Sequence, residues 1–236
     1  MQFIQRENIR LENVWVAYSG SGKPAIRNIN FILKPNSFIL ISGPNGAGKT
    51  TLLETCLGLL KPIKGKAYLL GIDTKSRDIV KVRRKCSYVP QDFMKPPYES
   101  YTVYQVIEFG LAVEKTLYKL KSSEIEKRIL WSVRTLEIED LLDKPIGSLS
   151  GGQQQRVYIA RALARKPKII FLDEPFSSLD KDSRKNVSEI IRKYISDNGA
   201  SAIIVSHDVN PLINIVDRVV WMKNGEIIRV DEKGES

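Results

Sequence analysis

Eight consecutive residues have the types and spacing needed to hold nucleotide phosphates: Gly43, Pro44, Asn45, Gly46, Ala47, Gly48, Lys49 and Thr50. They lie between an apolar stretch that predicts a buried strand and a stretch that predicts a helix. Glycines let successive backbone N–H groups surround phosphate oxygens, and a helix N-terminus adds partial positive charge. In this pattern Lys49 is expected to reach the β- and γ-phosphates, and the Thr50 hydroxyl to bind Mg²⁺. A glycine-rich turn without a ligand is the alternative.

Two adjacent carboxylates provide the second element. An apolar strand is predicted over residues 168–173 and is followed directly by Glu174. Such a strand brings its acidic end to the carboxyl edge of a sheet, beside the phosphate loop. Asp173 is then expected to hold Mg²⁺, directly or through water, and Glu174 to orient or deprotonate the attacking water. The plainer alternative is a strand that ends in a charged turn.

A second phosphate-binding helix start is predicted at Ser150. Ser150 can cap the helix, while Gly151 and Gly152 expose backbone N–H groups at its N-terminus. One chain would therefore carry two anion-binding helix ends.

The elements that must position these residues alternate between strand and helix. Apolar strands are predicted near residues 12–18, 26–33, 37–43, 86–91, 168–173, 202–207 and 218–223. Helices are predicted from residue 49 to the Lys61–Pro62 step, over much of residues 102–143, from 150 to about 165 and from about 183. Ser123 and Glu126 have the spacing of a capping box. This alternation predicts an α/β protein with a mostly parallel sheet, interrupted by a helical insert of about fifty residues.

Composition excludes several classes of protein. The 236 residues include 42% hydrophobic and 27% charged residues, which is ordinary for a globular chain. The sequence has no apolar run of the ~20 residues that a membrane span needs, and its start has no apolar signal-peptide core. We therefore expect a protein that remains in the compartment where it is made. Two scattered cysteines suit a reducing compartment, and with one histidine they argue against a zinc site.

The net charge of +10 is concentrated in one segment. Residues 61–95 carry ten basic and three acidic side chains, whereas residues 96–150 carry seven and nine. A basic patch can attract nucleic-acid phosphates or anionic lipids, and it can also be a solvated surface. Charge alone does not choose between them.

Taken together, the three elements resemble the ATP-binding cassette (ABC) ATPases, and residues 149–153 match the signature motif of that family without a substitution. The resemblance implies an α/β fold with a RecA-like P-loop core, an N-terminal antiparallel β subdomain and an inserted α-helical subdomain. It implies a single domain over residues 1–236. The core and β subdomain would comprise residues 1–91 and 149–236, and the helical subdomain residues 92–148.

The resemblance also implies a head-to-tail dimer in which each ATP lies between one phosphate loop and the partner's signature. Ser150, Gly151 and Gly152 would then contact the γ-phosphate of the partner's ATP.

Further positions match family residues in particular roles. Tyr18 would stack on adenine, Gln91 would touch Mg²⁺ and sense the transport partner, Asp180 would end the loop that couples the two sites, His207 would contact the γ-phosphate, and Thr51 and Gln153 would complete the nucleotide-binding set. Tyr18 could instead be a strand residue that faces the core, Gln91 a solvated loop residue and His207 a structural histidine.

Three functions would use a phosphate loop of this kind: a transporter ATPase, a soluble cassette ATPase, and an unrelated kinase or GTPase. The signature and Gln91 exclude an unrelated kinase or GTPase. Only 57 residues separate Gln91 from Leu149, too few for the coiled coil of repair-type members, and translation-type members carry two cassettes. The ATPase subunit of a membrane transporter is favoured, and a soluble ATPase of iron–sulfur cofactor assembly is the alternative. The expected cofactors are ATP and Mg²⁺.

The transporter hypothesis implies separate transmembrane permease subunits, a solute-binding protein, no nucleic acid and a location on the inner face of the cell membrane. The resemblance places permease docking on the Gln91 loop and the helical insert. Aromatic and apolar residues follow Gln91 there: Phe93, Met94, Pro96, Pro97, Tyr98 and Tyr101. Residues 88–91, 101–110 and 173–180 are also similar to cassettes of zinc and manganese importers, which favours metal-ion import. Cassettes for siderophores and other solutes share much of this pattern and are the alternative.

Overall fold

The computed structural model of the chain describes residues 7–20, 22–91, 100–210 and 212–233. Its strands are β1 Ile9–Val16, β2 Ile26–Leu33, β3 Phe38–Ser42, β4 Lys64–Leu69, β5 Ile72–Asp73, β6 Cys86–Val89, β7 Ile169–Asp173, β8 Ser201–Val205, β9 Arg218–Lys223 and β10 Glu226–Glu232. Its α-helices are α1 Lys49–Cys56, α2 Ile79–Arg83, α3 Val103–Gly110, α4 Ala112–Leu117, α5 Ser122–Thr135, α6 Gly151–Ala164 and α7 Lys181–Asn198. Short 3₁₀ helices cover Glu139–Leu141 and Ile146–Ser148.

Two sheets form the framework. The larger has the order β10-β9-β3-β8-β7-β6, and all its neighbours are parallel except β9 and β10. The smaller is antiparallel, with the order β2-β1-β4-β5. This confirms the predicted α/β class with a mostly parallel sheet. The antiparallel sheet lies at the N-terminal side of the chain, as the resemblance implied.

The central strands are buried on both faces, so their alternate residues enter two different cores. Phe38 and Leu40 face a core that includes α3, α5, α6 and α7. Ile39 and Ile41 face a second core that includes α1 and the antiparallel sheet. The phosphate loop at the end of β3 is therefore held by packing from both sides.

The helical insert packs onto the helix that begins at the signature. α3 and α5 both contact α6, and the predicted apolar face of α5 is buried at Ile125, Ile129 and Val133. Thr102 begins α3 with a capping box, in which its hydroxyl accepts from the Gln105 N–H. The division into subdomains at residues 92 and 148 stays a prediction.

Several local predictions were wrong. α5 has Lys121, not Ser123, at its N-cap, since the extended backbone lies at Lys121 and Ser123 is already helical. The helix after Lys49 ends at Cys56, because Gly58 adopts a positive φ of 73° soon after it. α7 begins two residues before the predicted Ser183, with Asp180 as its N-cap.

Candidate active site

The phosphate loop, residues 43–50, is a tight backbone turn between β3 and α1. Gly43 has φ of +151°, and a Cβ there would lie 2.2 Å from the carbonyl oxygen of Met222. Gly48 caps α1 with φ of +93°, and a Cβ there would lie 2.7 Å from Cγ2 of Ile26. Side chains are therefore excluded at both positions. Among the described residues no side chain caps α1, so its N-terminal amide groups suit an anion.

Lys49 is held inside this loop. Its Nζ donates to the carbonyl oxygens of Gly43, at 2.9 Å, and Pro44, at 3.1 Å. The side chain is buried, and these bonds satisfy two of the three ammonium donors. The loop backbone thus fixes a positive charge where the phosphates are expected.

A cavity of about 480 Å³ opens in front of the loop. It collects most of the predicted site residues: Tyr18, Asn45, Gly46, Ala47, Gly48, Lys49, Thr50, Thr51, Gln91, Asp173 and Glu174. Ala25 and Val205 also line it, and no sequence signal marked either residue. Gly43 and Pro44 take part through their bonds to Lys49. The topology therefore brings the ends of β3, β6 and β7 to one site.

Tyr18 stands at the mouth of the cavity. The residue is 47% exposed, and its hydroxyl lies 3.0 Å from Oγ1 of Thr51 on α1. An exposed ring held at its far end by a hydrogen bond can stack on a planar base. Thr51 itself is buried, so it acts in this structure as the anchor of Tyr18.

Asp173 supplies oxygen ligands deep in the cavity. Its side chain is 1% exposed, and within the described ranges its Oδ1 has no hydrogen-bond partner. Burial raises the pKa of Asp173, although hydrogen bonds with Thr50 and Tyr88 lower it in part. The cavity lining thus includes an orphaned buried carboxylate oxygen, the Thr50 hydroxyl and the Gln91 amide, which together are an oxygen-rich donor set. Mg²⁺ prefers such ligands, so the residues present fit this ion.

Glu174 has an unusual backbone. Its φ is +46°, a left-handed conformation that is rare for a residue other than glycine and is further restricted before Pro175. Its N–H donates to the carbonyl of Val205 at 3.0 Å, which fixes the turn to the end of β8. The turn directs the carboxylate into the cavity instead of along the sheet.

His207 contacts this carboxylate. Its Nδ1 lies 3.0 Å from Oε2 of Glu174. The carboxylate accepts this hydrogen bond when the imidazole carries its proton on Nδ1. The His207 side chain is 67% exposed, whereas that of Glu174 is 11% exposed. The imidazole thus covers the buried acid from the solvent side.

The signature segment, residues 149–153, lies outside the cavity lining. Ser150 caps α6 in a capping box, in which its Oγ accepts from the Gln153 N–H and the Gln153 Oε1 accepts from the Ser150 N–H. The structure thus uses both side chains to begin the helix. Gly151 and Gly152 pack close to residues 178 and 179, where a Cβ would lie 3.1–3.2 Å from its neighbours.

Asp180 is also outside the cavity lining. It caps α7 by accepting from the Ser183 N–H at 2.8 Å and from the Ser183 hydroxyl at 3.0 Å, and these bonds lower its pKa. Asp180 ends the loop that runs from Glu174, as expected, but its side chain caps α7.

Residues 26–177 match the protein family described as ABC transporter, so the chain belongs to that family. It is an ATP-binding cassette, and ATP hydrolysis is the activity characteristic of such subunits. The chain is 37% identical over 219 residues to a protein of Pyrococcus abyssi named as an ABC transporter ATP-binding protein, covering 93% of this chain and 81% of that one.

Other relatives are named for particular solutes. The chain is 36% identical to a molybdate/tungstate import ATP-binding protein of Pyrococcus abyssi, covering 89% of this chain and 59% of that one. It is 32% identical to a carnitine transport ATP-binding protein of Listeria monocytogenes, covering 96% and 56%. The chain thus spans less than two thirds of these longer relatives.

Solved structures support the same assignment. A dimeric bacterial ABC transporter cassette superimposes with a TM-score of 0.83 at 32% identity, covering 95% of this chain and 98% of that one. The cbiO1 protein of Clostridium perfringens, part of the transporter complex cbiONQ, gives 0.85 at 33% identity, covering 96% and 89%. No helix in the described part of this chain has both the length and the apolar character needed to cross a membrane.

Proposed function

We propose that this chain drives solute transport through separate membrane subunits by hydrolysing ATP at two sites shared between paired cassettes. One observation carries the proposal. The chain has two helix starts suited to phosphate, but only the start of α1 lines the cavity, while the capped, exposed start of α6 lies outside it. A second cassette that places its α6 over the cavity would enclose the γ-phosphate. Each chain then completes the site of its partner.

The phosphate loop binds ATP, and Tyr18 holds the base. Thr50, Asp173 and Gln91 have the oxygens that would hold Mg²⁺. When bound, this ion would neutralise charge on the phosphate oxygens. Lys49, already fixed by the loop carbonyls, adds charge stabilisation at the same phosphates without reorganisation.

Glu174 is the residue that orients the attacking water and accepts its proton. It is the carboxylate beside Asp173, it lines the cavity, and its backbone turn aims it inward. His207 steadies that carboxylate through Nδ1, which leaves Nε2 free to accept a proton or a hydrogen bond near the γ-phosphate.

The test compares Glu174→Gln with the wild-type chain. The amide keeps the size of the side chain but cannot accept a proton as the carboxylate does. We expect Glu174→Gln to bind ATP normally, to lose turnover by at least about 100-fold, and to remain a dimer with ATP in size-exclusion chromatography. Lys49→Ala is the matched control, and on its own it should lose ATP binding and stay monomeric. Undiminished hydrolysis by Glu174→Gln would refute the assignment of the base.

The helical insert offers a surface for the membrane subunits. Five apolar or aromatic residues there are more than one third exposed: Tyr101, Phe109, Val113, Leu117 and Tyr118. The rings of Tyr101 and Phe109 stack edge to face, 5.0 Å apart. Exposed apolar clusters mark partner surfaces. The five residues predicted between 93 and 98 lie outside the described part, and their role in docking stays a prediction.

Docking is tested with Phe109→Glu in the assembled transporter. We expect solute transport to fall while ATP hydrolysis by the separate subunit persists. Ile228→Glu is the control, because Ile228 is an apolar residue on β10 that is more exposed than Phe109, at 60% against 40%. Equal loss of transport in both variants would count against this docking surface.

The transported solute and the cellular location of the chain are proposed as follows. We propose zinc or manganese import, with the chain on the inner face of the membrane and with a solute-binding protein as a further partner. The resemblance of residues 88–91, 101–110 and 173–180 to cassettes of metal importers supports a metal ion as the solute. The relatives are named for varied solutes, and these names do not single out a metal ion. Cellular zinc and manganese should fall when the gene is deleted and recover with the wild-type chain but not with Glu174→Gln. Unchanged metal content would contradict this solute class.

A further inference from the structure

Arg184, in the first turn of α7, joins two loops of the site. Its Nε donates to the carbonyl of Leu179 at 2.8 Å, and its Nη1 donates to Oδ2 of Asp208 at 2.8 Å. The Arg184 side chain is 24% exposed. Its planar fork fixes two partners at a set distance and angle, as the single ammonium of lysine cannot.

The two loops carry the two residues of the hydrolytic pair. Leu179 belongs to the loop that starts at Glu174, and this loop packs against Gly151 and Gly152 of the signature segment. Asp208 directly follows His207. The turn at His207 is closed by Ser206, whose hydroxyl accepts from the Asp208 N–H and lies 3.1 Å from the Asp208 carbonyl. A shift of Asp208 therefore moves His207.

A second arginine connects the same turn of α7 to the signature helix. Nη2 of Arg156, on α6, lies 3.4 Å from Oγ of Ser183, and this hydroxyl donates to Asp180. The first turn of α7 thus touches α6 on one side and the His207 loop on the other. This turn therefore lies between α6, which would contact the partner's ATP, and His207, which would contact the ATP bound by the same chain.

We propose that Arg184 is a positioning residue that holds His207 against Glu174. Through Arg184, the position of the signature segment would affect the geometry of that pair. The inference rests on the proposed shared sites. Asp208 is 38% exposed, so the ion pair itself adds little stability. Its contribution is geometric, because the left-handed Glu174 turn persists only where its surroundings fix it.

The test measures kcat and ATP affinity for Arg184→Ala, Arg184→Lys, Asp208→Ala and the double variant Arg184→Ala/Asp208→Ala. We expect each alanine variant to lose kcat by about tenfold, since a small misplacement of reacting groups is costly. ATP affinity should stay within about twofold, and the double variant should be no worse than either single one, because both changes break one link. Arg184→Lys should recover part of kcat.

Arg192→Ala is the matched control. It removes a bidentate pair with Asp217 from the same helix, at 2.7 and 2.8 Å, and tests whether any lost ion pair on α7 slows turnover. Three results would each overturn the proposal. They are an equal loss of kcat in Arg192→Ala, losses of kcat that multiply in the double variant, and a loss of ATP affinity that matches the loss of kcat. If Arg184→Ala does not fold, Arg184→Lys and Asp208→Ala carry the same comparison. If the wild type hydrolyses ATP and Glu174→Gln does not, failure here leaves the proposed function intact.

Discussion

Nδ1 of His207 lies 3.0 Å from Oε2 of Glu174, so the only histidine of the sequence contacts the carboxylate held in a left-handed turn at the cavity. The two residues are 33 positions apart and come from the ends of adjacent parallel strands, β7 and β8. The parallel sheet therefore assembles the pair, and no local sequence pattern does so.

This contact predicts the effect of His207→Ala. Removing the imidazole frees the Glu174 carboxylate to rotate and removes Nε2 from the γ-phosphate region. We expect kcat to fall by about 100-fold or more while ATP affinity is kept, as measured by steady-state hydrolysis and by equilibrium binding of a fluorescent ATP analogue. Full turnover in His207→Ala would show that the contact is structural.

Substitutions at Tyr18 distinguish the contribution of ring stacking to ATP binding from that of the hydrogen bond to Thr51. Tyr18→Phe keeps the ring and removes the hydroxyl, whereas Tyr18→Ala removes both. We expect Tyr18→Ala to weaken ATP binding by about tenfold, because stacking contributes about 1–3 kcal/mol per base. Tyr18→Phe should show a smaller loss. Equal affinities of all three proteins in calorimetry would exclude stacking.

Two glycines with similar φ test the packing of the phosphate loop. Gly48 has φ of +93° and no room for a Cβ, while Gly71 has φ of +81° and open space around it. Gly71→Ala should lower the free energy of unfolding by about 1–2 kcal/mol from backbone strain. Gly48→Ala should cost at least about twice as much, because the methyl group also meets Ile26 and Ala25. Equal costs in urea unfolding would contradict the packing argument.

Cys86 makes stability fall at alkaline pH. Burial raises the pKa of its thiol from 9.0 to about 12, against smaller opposing effects of Arg165 and Lys85. The unfolded chain releases this proton first, so the free energy of unfolding decreases as pH rises above 9.0 and through about 12. Near pH 11 the loss should be about 3 kcal/mol. Cys86→Ala should show a correspondingly smaller decrease between pH 8 and about pH 11, and an identical decrease would be the contrary result.

The sequence predicted the central strands and the residues that gather at their ends, because short apolar runs followed by glycine or acidic residues have few other structures. It did not reveal β10, although Asn224 and Gly225, with φ of 51° and 80°, form the kind of pair that favours a hairpin. The bonds of Tyr18 to Thr51 and of Arg184 to Asp208 depend on long-range packing, so no spacing in the sequence indicates them.

Each proposed ATP site is shared between two chains, and mixing two inactive variants probes this sharing. Lys49→Ala disables the phosphate loop, and Ser150→Arg blocks the start of α6. Neither should hydrolyse ATP alone, but a mixed dimer has one complete site, so an equal mixture should recover up to about a quarter of wild-type turnover. Mixing Ser150→Arg with the double variant Lys49→Ala/Ser150→Arg is the control and should stay inactive. An inactive mixture of folded single variants, or full turnover by Ser150→Arg alone, would contradict shared sites.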